Sequence, residues 1–355
     1  MGSIVRAVEV GFGNTAVITG VRDDGSPRVL CFPSTVAKVD RNKSDLSAGL
    51  SSRNTKRVVV NNSEYEVGPE AHLATSSTSV SNRNAEYIYS TDYQALLQGA
   101  MSYIDEDVID LMVVGLPVNN WSKAEDLKKL VIGTHEIDGR KMTVKRCWCI
   151  PQPLGGLLYH GARLTKDEFN ELSQSNVVSV DPGMLTFDWL VSRGLKLNNA
   201  RSGAVDLGMS NVLKRLSEEV EAVFRIGRIP VELIDSAFWR HKNKLKLAGR
   251  TYPFPVCKKD DTEAGIEFDF SPIIERETES AVTEMVNHVG SGADVELFIL
   301  MGGAAEVFKG AIQRAYPNHK ILLLENHLTA VCEGMFFGGI QYLKQVLAAE
   351  AKVST

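Results

Sequence analysis

The strongest constraint on what this chain can fold into is a signature that occurs twice. Glu9-Val10-Gly11-Phe12-Gly13-Asn14-Thr15 and Asp181-Pro182-Gly183-Met184-Leu185-Thr186-Phe187-Asp188 each end an apolar run on a carboxylate, turn through glycine and resume with a β-rich run. In a strand-turn-strand unit the backbone N–H groups of such a turn can face a phosphate, and the Thr adds a hydroxyl donor. One acid-x-Gly turn between strands is more often a plain turn. Here each of the two is followed by a closing core strand: Leu111 to Leu116, stopped by Pro117, in the first half, and Val295 to Met301, leading into Gly302-Gly303-Ala304-Ala305, in the second. The chain therefore reads as two copies of one α/β plan, whose turns face each other and grip a polyphosphate from both sides. The Gly302-Gly303 pair lets backbone approach a flat ligand ring or lets the strand pass tightly into a helix.

The elements between these landmarks follow from periodicity and caps. Ile4 to Val10 and Ala16 to Val21 are strands, with a hairpin turn at Asp23 to Pro27. From about Lys38 to Asn84 the composition turns to Ser, Asn, Arg and Lys around a strand at Arg57 to Val60 and its partner Tyr65-Glu66-Val67, a small polar peripheral subdomain. A helix is expected over Thr91 to Ile104 with Thr91 or Asp92 as its N-cap. A helical segment near Ala124 to Ile132, a hairpin at Asp138-Gly139 and a strand over Val144 to Ile150 come next, and Leu154 to Leu164 starts helical. The second copy opens with strands Asn176 to Val180 and Thr186 to Ser192. Helices follow over Ser210 to Phe224, Ser271 to Val289 and Ala330 to Ala349.

At 355 residues the chain exceeds the roughly 250–300 that one core spans, so two lobes are expected. The composition, 44% apolar and 23% charged, excludes disorder, collagen and coiled coil. A formal charge of −5 gives no general attraction to nucleic acid or to an anionic membrane, and no run reaches the 18 or so apolar residues of a membrane span. Met1-Gly2-Ser3 with Arg6 behind it matches neither a signal peptide nor a myristoylation site. A soluble, cytoplasmic protein is the reading. Five cysteines without regular spacing read as reduced, buried packing thiols, including Cys147 and Cys149 on one face of a strand; the seven dispersed histidines form no zinc pattern. The basic cluster Arg240, His241, Lys242, Lys244, Lys246 and Arg250 reads as a solvated face, the competing reading being a filament or adaptor contact.

In this order the pieces resemble the actin-like ATPase superfamily over essentially the whole chain. Residues 9–15 look like its first phosphate motif, 150–156 its first connecting motif, 180–188 its second phosphate motif, 299–305 its adenosine motif and 330–334 its second connecting motif. Within the superfamily the likeness is nearest to plasmid-segregation actins of the ParM or StbA kind, through the opening Val8 to Thr15, the strand end Val113 to Pro117 and Ser202 to Gly208. The resemblance implies an α/β, actin-like (ribonuclease H-like) two-domain ATPase fold with mixed sheets and a nucleotide cleft between the lobes. Domain I would cover 1–165, with a polar subdomain at about 31–90 and a C-terminal helix at about 335–355 packing back on it. Domain II would cover 166–334, with an inserted subdomain at about 225–270.

The resemblance also implies ATP or GTP with Mg2+ in the cleft, hydrolysis coupled to self-assembly into filaments, and an adaptor protein bound to centromere-like DNA, with no direct DNA or membrane contact. Carried onto this sequence, Asp181 and Glu9 would hold the metal through water, and Gln152 would position the attacking water with Asp181. Gly11, Phe12, Gly13, Asn14 and Thr15, with Gly183, Met184, Leu185 and Thr186, would hold the β- and γ-phosphates. Gly302, Gly303 and Ala304 would face the adenosine, with Glu218 or Glu219 at the ribose. Glu9 departs from the family's Asp, and its extra methylene moves the carboxylate about 1.5 Å towards the phosphates. Natural variation, an engineered slow-hydrolysis change and a site that binds without turnover all account for it. The alternatives to a filament-forming ATPase are a small-molecule kinase of the same fold and a non-hydrolysing ATP-binding scaffold.

Overall fold

The computed structural model describes residues 2–40, 52–75, 86–258 and 267–353. Its two main sheets repeat one plan. In the first, the order is Cys147–Pro151, Leu111–Leu116, Val5–Val10, Asn14–Val21, Pro27–Pro33; in the second it is Ile321–Leu323, Leu297–Leu300, Asn176–Pro182, Phe187–Arg193, Lys196–Leu197. In both, the strand carrying the acidic turn pairs antiparallel with its hairpin partner and parallel with the core strand on its other side, and a further parallel strand follows. These five positions correspond one for one, and the second sheet adds Gly203–Val205, paired antiparallel with Phe187–Arg193.

Local sequence explains the elements. All six residues of Leu111–Leu116 are buried, as in a parallel strand covered on both faces. The helix Thr91–Met101 begins one residue earlier than its caps suggest, because Ser90 is the N-cap and its hydroxyl accepts from Tyr93 N–H. It also stops at Met101, short of Ile104. Thr165 and Glu168 form a capping box at Lys166–Gln174. The expected strand over Val144 to Ile150 is two strands. Arg140–Val144 ends in a three-stranded sheet with Val108–Ile109 and Gly133–Ile137, and Cys147–Pro151 starts afresh in the main sheet. The closing strand of the second half is likewise shorter, Leu297–Leu300.

The polar stretch supplies a small sheet, ordered Val36–Lys38, Ser63–Val67, Lys56–Val60, against which Thr91–Met101 packs. The rest of that stretch, 41–51 and 76–85, lies outside the described residues, as do 259–266 of the expected insert. The insert contributes the helix Val231–Phe238 and the hairpin Lys244–Leu247 with Arg250–Pro253, where Leu245 and Leu247 are buried and Lys244 and Lys246 exposed. Among the described residues no helix is long and apolar enough to cross a membrane.

Each sheet has its own core, and a third core joins them. Val5, Ala7, Leu111 and Ile150 of the first sheet and Val177, Ile299 and Met301 of the second share it with Met335 and Phe336. Two helices build the junction. Gln152–Gly161 leaves the first sheet and packs against the second, while Ala330–Val353 follows the second sheet and packs on the first. They meet in backbone contact, where a Cβ on Gly334 would strike the Gly155 carbonyl oxygen and a Cβ on Gly155 would lie 2.6 Å from the Val331 carbonyl oxygen. Only hydrogen fits at either position.

Candidate functional site

A cavity of about 380 Å³ opens between the two sheets, at the volume of small-ligand sites. Both glycine turns line it, and they are built alike: Gly11 N–H donates to the Asn14 carbonyl at 3.0 Å, and Gly183 N–H to the Thr186 carbonyl at 2.8 Å. They also face each other, since a Cβ on Gly13 would lie 3.0 Å from Met184 Cβ. The third wall is Gly302 to Ala304. Gly302 has φ +93°, a conformation that side-chain-bearing residues rarely adopt, and any Cβ there would run into the Asp181 carboxylate. Its N–H donates to the His327 carbonyl at 2.8 Å, and its own carbonyl lies 2.9 Å from His327 Nδ1. Ala304 N–H donates to the Pro182 carbonyl at 3.1 Å, tying this wall to the second turn.

Register concentrates acid at one place. Glu9 pairs with Ala16 across its hairpin, whereas at the equivalent position of the second copy Asp181 pairs with Asp188. All three carboxylates line the cavity. Burial pushes Asp181 up to about 7, with the Asp188 charge adding to it, and pushes Asp188 up to about 6 despite hydrogen bonds from Thr186 and from Val118 N–H. Glu9 is raised well above the ordinary carboxylate range by burial and then by Asp181. Among the described residues no lysine or arginine acts on any of the three. Gln152, 7% exposed, donates its side-chain N–H to Glu9 Oε1 at 3.4 Å.

Such a cluster is costly as it stands and fits a cation brought in with its own anion. Among the described residues no three acidic, His or Cys side chains are placed to ligate one ion directly. The donor set suits a hydrated magnesium ion, which keeps most of its waters and leans on carboxylates through them.

The structure brings Glu9, Gly11, Phe12, Gly13, Asn14, Gln152, Asp181, Gly183, Met184, Thr186, Gly302, Gly303 and Ala304 together around the cavity. Four expected residues, Glu218 and its alternative Glu219 among them, are absent from its wall. Thr15 is fully buried with its hydroxyl 2.9 Å from Ser34 Oγ, and Leu185 packs against the core of the first lobe. Glu218 sits on the outer face of Met209–Phe224, paired with Arg215 at 3.0 Å, and Glu219 is exposed beside it. The helical phase accounts for this, because Val212, Leu213, Leu216 and Val220 turn inward. The helix-borne carboxylate that does reach the cavity is Asp235, together with Trp239. Asp188, Asn120 and His327 were also missed as site residues. Of these, Asp188 alone had a signal, closing the second turn motif seven residues after Asp181.

Two lobes of matching ribonuclease H-like topology around a cleft edged by facing glycine turns define the actin-like class of proteins. Residues 7–155 match the family described as the N-terminal domain of actin-like proteins. The whole chain superposes on the ParM protein of pSK41 at 15% identity and a TM-score of 0.66, covering 98% of this chain and 99% of that one. It superposes on the archaeal actin homolog Ta0583 in complex with ADP at 16% identity and 0.71, covering 96% and 99%. It also superposes on a 15-stranded ParM filament from Clostridium botulinum at 17% and 0.70, covering 96% and 100%. No curated protein matches the chain at a significant level. The fold is that of the actin-like proteins.

Proposed function

We propose that this chain binds a Mg-nucleoside triphosphate, ATP or GTP, in the cleft, hydrolyses it, and assembles with copies of itself into filaments. The filaments would move plasmid or other mobile DNA through an adaptor protein bound to centromere-like DNA. The observation that carries the reading is the buried trio Glu9, Asp181 and Asp188, without a cationic partner among the described residues, between two facing turns of backbone N–H groups. The similar structures support it, one being a complex with ADP and another a filament.

In this reading Glu9 and Asp181, with Asp188 behind Asp181, would hold the waters of a magnesium ion, which would supply charge to offset the phosphates. The turn amides from Phe12 to Asn14 and from Met184 to Thr186 cradle the phosphates, and Gln152 and Asp181 orient the attacking water. Gly302 and Gly303 leave room for the nucleoside.

A second reading, a scaffold that binds nucleotide without turning it over, is favoured by one contact. The Gln152 amide is engaged by Glu9, whose longer side chain reaches where a water would be positioned. Light scattering with phosphate release recorded in the same cuvette separates the readings, using Mg-ATP, Mg-GTP, Mg-ADP and no nucleotide. Scattering that rises only with triphosphate and decays as phosphate appears supports the ATPase filament. A stable rise without phosphate supports the scaffold, and no rise in any condition refutes assembly.

A further inference from the structure

The far wall of the cavity holds a pair that no glycine turn or metal role uses. Asp235 lies on the helix Val231–Phe238 and Trp239 caps it, and both line the cavity. The helix is anchored by Ile234 and Ala237, both at 0% exposure. Trp239 Nε1–H donates to Asp235 Oδ1 at 3.1 Å, and Trp239 N–H donates to the Asp235 carbonyl at 3.4 Å, so ring and carboxylate hold one another in place. Among the described residues no second donor engages the Asp235 carboxylate. Its environment is separate from the acidic trio. Asp181 acts on Glu9 and Asp188 acts on Asp181, whereas Asp235 feels its own burial, Trp239 and the neighbouring Glu232. Asp235 therefore adds to the cavity wall a carboxylate outside the trio, beside Trp239, a residue that is 36% exposed.

We propose that Asp235 and Trp239 read the base of the bound nucleotide and select guanine over adenine. The proposal rests on the reading that the cleft binds a nucleotide. An ionised carboxylate only accepts hydrogen bonds. Guanine presents N1–H and the 2-amino group side by side, two donors that a carboxylate takes together. Adenine presents its 6-amino donor next to the N1 lone pair, which would oppose the carboxylate charge. A half-buried acceptor left without its donor is costly, so the choice is made by what the wrong base fails to supply. The indole face stacks on either purine, which contributes affinity without choice.

The test is equilibrium binding of GTP, ATP, ITP and XTP to the full chain with Mg2+. The expected result is GTP tighter than ATP by about tenfold or more, with ITP, which lacks the 2-amino donor, weaker than GTP. Asp235→Asn lowers GTP affinity by a similar factor, leaves ATP within about twofold, and strengthens XTP, whose 2-oxo group accepts from the new amide. Trp239→Phe weakens all four without changing their order. Equal loss of GTP and ATP in Asp235→Asn overturns the proposal and assigns the carboxylate to the ribose, and ATP equal to or tighter than GTP in the unaltered chain overturns it outright. Should Asp235→Asn fail to fold, the GTP, ATP and ITP series on the unaltered chain decides alone. Binding of none of the four refutes the nucleotide reading, and this proposal with it.

Discussion

The buried carboxylates make the empty cleft a source of instability, and Asp181→Asn measures how large it is. Asp181 titrates near 3.8 when unfolded and is held near 7 in the fold. Its folded value is raised, so its ionisation opposes folding: the cost is absent below about pH 4, grows as pH rises towards 7, and is complete above it. A shift of about 3 units at about 1.36 kcal/mol each sets a ceiling of about 4 kcal/mol at pH 8. Because the Asp181 charge also raises Glu9, the amide eases that carboxylate too. With an unfolding entropy of roughly 2.1 cal/mol/K per residue, 4 kcal/mol raises the melting temperature by about 5 °C if the lobes unfold together. The assay is thermal unfolding of both proteins in EDTA at pH 5 and pH 8. Asp181→Asn should be more stable than the unaltered chain at pH 8, with a smaller gain at pH 5. Adding Mg2+ and triphosphate should reverse the order, because the altered chain loses the group that leans on the cation. A variant no more stable at pH 8, or a gain independent of pH, refutes the electrostatic account of the cluster.

Three further outcomes follow from the same geometry. Gly302→Ala forces a side chain into φ +93° and against Asp181, and should cost about 2 kcal/mol in denaturant unfolding as well as nucleotide binding; unchanged stability would mean that this wall is free to move. Gly334→Ala drives a methyl into the Gly155 carbonyl and should destabilise the chain by about 3 kcal/mol in the same assay, whereas a substitution at Gly139, where a Cβ has open space, should cost only its backbone strain. Glu9→Asp withdraws one methylene from Gln152 and should raise single-turnover phosphate release by about tenfold; no increase would show that the extra length is not what limits turnover.

The duplicated plan was legible because a carboxylate and a glycine turn occupy the same place in both copies, and the hydrogen-bond patterns of the two turns match. Other features were hidden for physical reasons. Ser90, Thr91 and Asp92 can all cap a helix, and only the Ser90 hydroxyl bond to Tyr93 N–H decides between them. The run Val144 to Ile150 looks continuous, yet the chain changes sheets at Lys145 and Arg146, a tertiary event that leaves no mark in the alternation. The outward position of Glu218 was readable from the phase of Val212, Leu216 and Val220. Asp235 was not, because the position of its helix is set by packing on Met209–Phe224 and the Lys244–Leu247 hairpin, and no motif spacing encodes that.

The crossing of Gln152–Gly161 and Ala330–Val353 has a mechanical consequence. Each helix leaves one lobe and beds on the other, so the two covalent links between the lobes pass through a single point, and at that point glycine backbones touch. Side chains tie the helices together around that point: Arg163 pairs with Glu333 at 3.2 Å, and Leu157 and Tyr159 share a core with Val331, Met335 and Phe336. Any closure of the two turns on a ligand would therefore be carried from one lobe to the other through this one packed junction.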